Sequence, residues 1–174
     1  MKTVRPTRQR AARTYKATRL AGHNNGLLLK VEMHSDPKLL CAVRGALERL
    51  GELLGLSAEQ SRAVTRAVDE ALTNIMRHSY AGRLDRPIEI VFNRVPRPAA
   101  MGAGEGLEIV VSDRGPAIDP AKLHGRSLDD VKPGGLGLHL IHQSMDSVEY
   151  RRARGTNQFR LVKYFDSLKP IPNC

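Results

Sequence analysis

The sequence predicts an α/β fold, a two-layer sandwich in which a mixed, mainly antiparallel sheet is covered on one face by about three helices. Large apolar residues occupy every second position over 88–92 and 107–111, which is typical of strands with one strongly apolar face. They recur every three or four positions over 63–76, which is typical of a helix packed on such a sheet. The length of 174 residues and the 41% of hydrophobic residues suit one domain with a substantial core.

The net charge of +10 is concentrated at the N terminus. Seven basic residues and no acid precede residue 22, which leaves 10 − 7 = +3 for the remainder. We therefore expect a basic, disordered arm at 1–25, a folded domain at 26–168 and a short tail at 169–174. A transit peptide is an alternative for the arm. Direct binding of nucleic acid is the least favoured interpretation, because the arm has one aromatic residue, Tyr15, and no recognisable reading element.

Hydropathy and cysteine content indicate the compartment. No stretch approaches the roughly 18 to 20 uninterrupted apolar residues that a membrane helix needs, so we expect no contact with a membrane. The cysteines are Cys41 and Cys174, which resemble neither a disulfide framework nor a zinc site. We expect a cytoplasmic protein.

The first folded elements are a strand and a helix. A short apolar run at 27–33 suits a strand. The sequence Ser35-Asp36-Pro37 then marks a helix start, and Gly51 is expected to end that helix. Ser57, with Gln60 three residues later, forms a capping-box pattern that opens a second, longer helix, which we expect to run to about residue 80.

A polar stripe lies on the second helix. Glu70, Asn74 and His78 recur every four residues, so they form one line beside the apolar face. A carboxylate and a carboxamide one turn apart can share a hard cation or a water molecule. The alternative is a solvated helix face with an ion pair between Arg66 and Glu70.

The next strands end in an acid. The loop at 95–106 is interpreted as a hairpin connection, and the alternation of the strand after it places Asp113 on the apolar face. An acid in that position must be bound to something, and capping or pairing with a lysine is the open alternative. Gly115 follows, either as part of a ligand site or as a turn residue.

Glycines and a threonine complete the candidate site. The segment 116–133 is interpreted as an excursion that ends in Gly134-Gly135-Leu136-Gly137 at the start of a helix. Glycines there expose unpaired N–H groups to an anion, although an ordinary loop-to-helix junction is the alternative. Strands around 148–152 and 159–164 close the chain as a hairpin, with Thr156 near its turn.

Three motifs, in this order, resemble a known superfamily. They are Glu-Ala-Leu-Thr-Asn at 70–74, Asp-Arg-Gly-Pro-Ala-Ile-Asp at 113–119 and Gly-Gly-Leu-Gly-Leu-His-Leu-Ile at 134–141. They look like the N box and the two glycine boxes of the ATPases that include gyrase, heat-shock chaperone ATPases, mismatch-repair proteins and histidine kinases. The resemblance covers roughly residues 28–165 and implies the histidine kinase-like ATPase fold, also called the Bergerat fold.

The resemblance also implies roles for individual residues. It makes Asn74 the ligand of Mg²⁺, and Glu70 the group that orients or deprotonates the attacking hydroxyl. It makes Asp113 the acceptor for the adenine amine of ATP. Further residues are expected to bind or close over the nucleotide or to support its base: Gly115, Gly134, Gly135, Gly137, Leu138 and Thr156.

Within the superfamily, the chain most resembles the anti-sigma factor serine kinases of bacterial partner switching. The residues that carry this resemblance are the sequence from Asp69 to Tyr80, Ala117 in place of a second glycine, and Leu-Ile-His-Gln-Ser-Met-Asp-Ser-Val-Glu-Tyr at 140–150. The resemblance implies a homodimeric kinase that phosphorylates a small anti-anti-sigma (STAS-type) antagonist and sequesters a sigma factor or a similar regulator. The alternative is a nucleotide-dependent binding module that sequesters its partner without phosphoryl transfer.

Overall fold

The computed structural model describes residues 26–117 and 136–166, and within them five strands form one sheet in the order β1-β2-β3-β5-β4. Every pairing between neighbouring strands is antiparallel, whereas the sequence predicted a mixed sheet. The difference follows from the strand order, because β5 lies between β3 and β4, the strands that run in the same direction. The strands are β1 (Leu27–His34), β2 (Pro87–Pro96), β3 (Glu105–Asp113), β4 (Ser147–Ala153) and β5 (Thr156–Phe165).

Three α-helices accompany this sheet in the described ranges, as the sequence predicted: α1 (Leu40–Leu54), α2 (Ala58–Asn74) and α3 (Leu136–Ser144). Helix α2 continues into one π-helical turn, Ile75–Ser79. A short 3-10 turn at Pro37–Leu39 precedes α1. Another, at Ala99–Met101, lies in the connection between β2 and β3.

Local capping determines where α2 begins. The Ser57 side chain accepts a hydrogen bond from the Gln60 N–H at 3.1 Å, and the Gln60 side chain accepts one from the Ser57 N–H at 2.9 Å. This is the capping box that the sequence predicted, and it satisfies two N–H groups at the helix start.

The expected end of α1 at Gly51 is wrong. The helix continues to Leu54 and is capped by Gly55. Gly51 is buried, and a Cβ there would fall 2.5 Å from the Ser61 Oγ. The glycine therefore allows α1 and α2 to pack closely.

The core lies between the helices and one face of the sheet. On β2 and β3 the fully buried side chains alternate along each strand, as the sequence predicted, and meet the apolar face of α2. Burial of each large apolar side chain contributes about 1.5–3 kcal/mol. The strand residues are Ile88, Ile90, Phe92, Leu107, Ile109 and Val111, and the α2 residues are Val64, Ala67, Val68, Ala71 and Leu72.

Ion pairs occupy the opposite face of the sheet. The Lys30 Nζ lies 2.7 Å from a Glu89 oxygen and 2.8 Å from a Glu32 oxygen, and hydrogen bonds from Lys30 to these carboxylates raise the pKa of Lys30. The Arg160 Nε lies 2.6 Å from a Glu108 oxygen. Because these side chains are partly exposed, this face is the solvent side of a two-layer fold. Exposed ion pairs of this kind contribute little to stability.

Several expectations lie outside the described residues. They are the basic arm at 1–25, nearly all of the excursion at 116–133, and the C-terminal tail at 169–174. Among the helices of the described ranges, none combines the length and the apolar character that a membrane crossing requires.

Candidate functional site

Asp113 is the last residue of β3 and is only 3% exposed on the helix-covered side of the sheet. Its Oδ1 accepts a hydrogen bond from the Gly115 N–H at 2.7 Å and another from the Asn157 Nδ2 at 2.9 Å. The acid is therefore bound by a backbone amide and a carboxamide. No lysine of the described residues pairs with it, which removes the lysine alternative within those ranges.

Asn157, and not Thr156, lies beside Asp113. In the antiparallel register of β3 and β5, Asn157 is directly opposite Asp113, and opposite residues share a face of the sheet. Thr156 is one position earlier and pairs with Ala153 of β4. The role of Thr156 in supporting a nucleotide base stays a prediction, and the register adds Asn157 as the residue that contacts Asp113. Counting back by twos from Leu161 would have found Asn157 in the sequence.

Asn157 also connects β4 to the chain that leaves β3. Its Nδ2 donates to the Pro116 carbonyl at 3.0 Å, and its Oδ1 accepts from the Tyr150 hydroxyl at 2.9 Å and from the Arg152 Nη1. The Arg152 Nη1 in turn donates to the Gly115 carbonyl at 2.9 Å. These contacts join the β4–β5 hairpin to residues 115 and 116, and the sequence motifs indicated none of them.

Gly115 packs against the π-helical turn that follows α2. A Cβ at Gly115 would fall 2.6 Å from the Ser79 Cβ and 3.0 Å from the Ser79 carbonyl oxygen. Any larger residue would push the chain after β3 away from the helix. Glycine at this position is therefore a packing requirement of the site and more than a turn residue.

Tyr80, which follows the π-helical turn, forms hydrogen bonds to β2 and to the residue after β3. It is 6% exposed, its hydroxyl donates to the Pro87 carbonyl at 2.6 Å, and it accepts from the Arg114 N–H at 2.9 Å. Burial raises the pKa of Tyr80. The hydroxyl thus fixes the start of β2 and the residue after Asp113, a link between elements that no local sequence pattern indicates.

Glu70 and Asn74 lie one turn apart near the end of α2, and both are partly buried. A Cβ on Gly137, the second residue of α3, would fall 2.6 Å from the Glu70 Cδ and 2.9 Å from its Cγ. The start of α3 therefore lies directly on the Glu70 side chain. Arg66 is exposed and forms no ion pair with Glu70. The alternative of a solvated helix face therefore lacks the Arg66–Glu70 ion pair that was expected for it.

Four residues of the sequence analysis remain, and the structure describes two of them. Gly134 and Gly135 lie outside the described residues. Leu138 is partly buried and packs on the hydrophobic core at the first turn of α3. His78, the third member of the polar stripe, is exposed on the π-helical turn, so only Glu70 and Asn74 of that stripe lie in the partly buried region.

The donor set limits what metal the site can hold. Within 26–117 and 136–166, no three histidine, cysteine, aspartate or glutamate side chains cluster as a metal site. Mg²⁺ needs no such cluster, since it usually keeps several waters and binds one or two protein oxygens together with substrate phosphates. The Asn74 carboxamide beside Glu70 fits that kind of site.

An antiparallel sheet covered on one face by helices, with a buried acid at the end of a central strand, agrees with the nucleotide-binding ATPase fold predicted above. Sequence comparison agrees, because the family profile described as histidine kinase-like ATPase domain matches residues 33–163. The chain belongs to this family.

The chain is also similar in sequence to individual proteins that are named as serine or serine/threonine kinases. Over 112 residues the chain is 30% identical to serine/threonine-protein kinase BtrW of Bordetella bronchiseptica, covering 62% of this chain and 73% of that protein. Over 136 residues it is 26% identical to serine-protein kinase RsbW of Bacillus pumilus, covering 74% and 80%. Over 151 residues it is 23% identical to RsbW of Bacillus subtilis, covering 82% and 89%.

Two solved structures share the fold. The SiaB–SiaC complex of Pseudomonas aeruginosa matches with a TM-score of 0.56 and 13% identity, over 78% of this chain and 89% of that one. The RsbU and RsbW domains of Rv1364c from Mycobacterium tuberculosis match with a TM-score of 0.53 and 15% identity, over 83% of this chain. The match spans about a third of the Rv1364c chain, 34%.

Proposed function

We propose that the protein is a serine/threonine protein kinase of a partner-switching system. It transfers the γ-phosphoryl group of Mg-ATP to a small STAS-type anti-anti-sigma protein and sequesters a sigma factor or an analogous regulator. The family, the relatives named as serine kinases and the placement of Glu70 support this proposal. A homodimer and a cytoplasmic location belong to the same proposal through the family resemblance.

The base of ATP binds at the end of β3. Asp113 already receives two hydrogen bonds at Oδ1, and no described residue donates to Oδ2. An exocyclic amine could donate a hydrogen bond to the Oδ2 of this acid, next to the oxygen that the protein already occupies. The adenine amine has that chemistry.

The triphosphate extends toward α2 and α3. The first N–H groups of a helix carry partial positive charge and favour anions, so the start of α3 stabilises phosphate oxygens. The Asn74 carboxamide oxygen would hold Mg²⁺, which supplies charge neutralisation for the transferring phosphoryl group.

The observation that carries the assignment of a kinase is the contact between Glu70 and Gly137. It places a carboxylate at the opening of α3, where the terminal phosphate would approach. There Glu70 can accept the proton of a serine or threonine hydroxyl as the oxygen attacks phosphorus. The acceptor hydroxyl comes from the partner protein, which enters the site from solvent.

The direct test is transfer to a partner. The protein is incubated with γ-labelled ATP, Mg²⁺ and each STAS-type protein that occurs with it, and phosphoserine or phosphothreonine is identified by mass spectrometry. We expect label on one residue of one partner. Stable binding of ATP and of the partner with no label on any of them would instead support the module that sequesters without transfer.

A further inference from the structure

Arg152 reaches from the edge strand β4 to the chain that leaves β3. Its Nη1 donates to the Gly115 carbonyl at 2.9 Å and to the Asn157 Oδ1. A guanidinium only donates hydrogen bonds, and bonds from a charged donor are stronger than neutral ones. Arg152 is exposed, whereas Gly115 and Asn157 are buried. An exposed side chain thus supplies a charged donor to two buried residues beside Asp113.

Gly115 is held on both sides of its Cα atom. Its N–H donates to the Asp113 Oδ1 at 2.7 Å, and its carbonyl accepts from Arg152. The Asn157 Nδ2 lies 3.4 Å from the same carbonyl, which makes a longer and weaker contact. Glycine has more backbone freedom than any other residue, so contacts with other residues must fix its conformation. Arg152 supplies the stronger of these two bonds to the carbonyl.

The Asn157 amide is not a substitute for Arg152. Its Nδ2 donates to the Asp113 Oδ1 at 2.9 Å and to the Pro116 carbonyl at 3.0 Å. An NH₂ group has two hydrogens, and these two shorter bonds use both of them. Without Arg152, the Gly115 carbonyl would therefore have no strong donor among the described residues, and the backbone after β3 could take other conformations.

We propose that Arg152 is a positioning residue for the nucleotide, which raises the affinity for ATP by holding Gly115 in the conformation that receives the base. The proposal rests on the nucleotide site of the proposed function and extends it to a residue outside the three sequence motifs. When only a fraction of the protein has the binding conformation, the apparent dissociation constant increases by the inverse of that fraction. Arg152 acts at the base end and Glu70 at the phosphate end, so transfer from bound ATP should not depend on Arg152.

The test is the affinity of Arg152→Met and Arg152→Lys for ATP, measured by calorimetric titration with and without Mg²⁺. Methionine keeps an unbranched stem and has no donor, whereas lysine keeps a charged donor. We expect Arg152→Met to bind ATP about 10-fold more weakly, the effect of losing one charge-assisted hydrogen bond, and Arg152→Lys to retain most of the affinity. The loss should be equal with and without Mg²⁺, because the metal belongs to the phosphate end.

A kinetic measurement separates positioning from general damage to the fold. In single-turnover phosphorylation of the STAS-type partner, the ATP concentration that gives half of the maximal rate should rise about 10-fold for Arg152→Met. The rate at saturating ATP should stay at the wild-type value, because the bound nucleotide restores the conformation of Gly115. A general disturbance of the site would lower the rate at saturating ATP as well.

Arg151→Met is the matched control. Arg151 is the neighbouring residue of β4, is also exposed, and its Nε bonds the Gln158 side chain at 2.6 Å. Among the described residues it has no hydrogen bond to the acceptors of Arg152, so its variant should bind ATP like the wild-type protein. Both arginines are exposed, so neither variant should prevent folding, and thermal unfolding checks this. Arg152→Ala, measured in parallel, must show the same loss as Arg152→Met.

The outcomes separate the two proposals. If the wild-type protein binds ATP and Arg152→Met binds it equally well, or if Arg151→Met loses as much affinity, the positioning role is wrong and the nucleotide site stands. A loss that appears only with Mg²⁺, or only in the rate at saturating ATP, contradicts it too. If the folded wild-type protein does not bind ATP, the proposed function fails and the positioning role fails with it. A loss that is independent of Mg²⁺, restored by lysine and absent in Arg151→Met supports the proposal.

Discussion

The two ends of the candidate site are built differently. At the base end, Asp113 is held on the sheet by Gly115 and Asn157 through bonds of 2.7 and 2.9 Å. At the phosphate end, no described residue forms a hydrogen bond with the Glu70 or Asn74 side chain, and Glu70 is located by its packing on Gly137. Within the part of the chain that the structure describes, hydrogen bonds thus preorganise the base end, whereas packing alone positions Glu70.

Gly137→Ala should produce the largest change at the phosphate end. The added Cβ would fall 2.6 Å from the Glu70 Cδ, so α3 or the carboxylate must move. A displacement of about 1 Å at a reacting group can lower transfer by about 100-fold, so we expect a loss of that order in the phosphorylation rate, with little change in unfolding temperature.

Gly45→Ala is the matched control for this change. Gly45 lies in α1, and a Cβ added there would meet no atom within 4 Å. Alanine should therefore stabilise the helix by about 0.5–1 kcal/mol and leave transfer unchanged. Equal losses of transfer in the two variants would contradict the importance of the contact between Glu70 and α3.

Asn74→Ala should weaken ATP binding by about 10- to 100-fold in the presence of Mg²⁺, the usual cost of disturbing a metal site. Without Mg²⁺ the variant and the wild-type protein should bind ATP equally, because the side chain acts through the metal. Calorimetric titrations with and without Mg²⁺ measure both effects. A loss that is independent of Mg²⁺ would assign Asn74 to packing and remove it from the metal site.

Tyr80→Phe should have the smallest effect on function and a measurable effect on stability. It leaves the Pro87 carbonyl and the Arg114 N–H without their partner, which costs about 1–3 kcal/mol in the free energy of unfolding. Denaturant unfolding measures this cost. A loss of ATP binding larger than the loss of stability would show that Tyr80 belongs to the site itself.

The raised pKa of Tyr80 gives this prediction a pH dependence. The folded state favours the neutral phenol because burial disfavours its anion, while the unfolded phenol titrates near about 10. The wild-type protein should therefore lose stability as the pH rises above about 10 and through the raised folded value. Tyr80→Phe lacks this contribution, so its stability should fall less steeply over the same range.

The sequence predicted the elements that depend on local signals. The capping box at Ser57, the alternation in β2 and β3, and the position of Asp113 each follow from residues within one element. The family and the fold class are confirmed by the profile match and the observed sheet. The roles of Glu70 and Asn74 remain predictions.

What the sequence did not predict depends on contacts between elements. Gly51 fails to end α1 because it packs on Ser61 of the next helix. Asn157 lies directly opposite Asp113 because of the pairing between β3 and β5, and the sequence motifs did not indicate that pairing. Tyr80 joins β2 to the residue after β3, and only the folded chain brings those groups together.

The most direct test of the kinase assignment is single-turnover phosphoryl transfer by Glu70→Ala, with ATP binding measured on the same preparation. We predict that transfer to the partner falls by about 10²- to 10⁴-fold while ATP affinity is retained, because Glu70 acts on the attacking hydroxyl and Asp113 and Asn74 hold the nucleotide. Transfer at the wild-type rate by a folded Glu70→Ala protein would contradict the assignment.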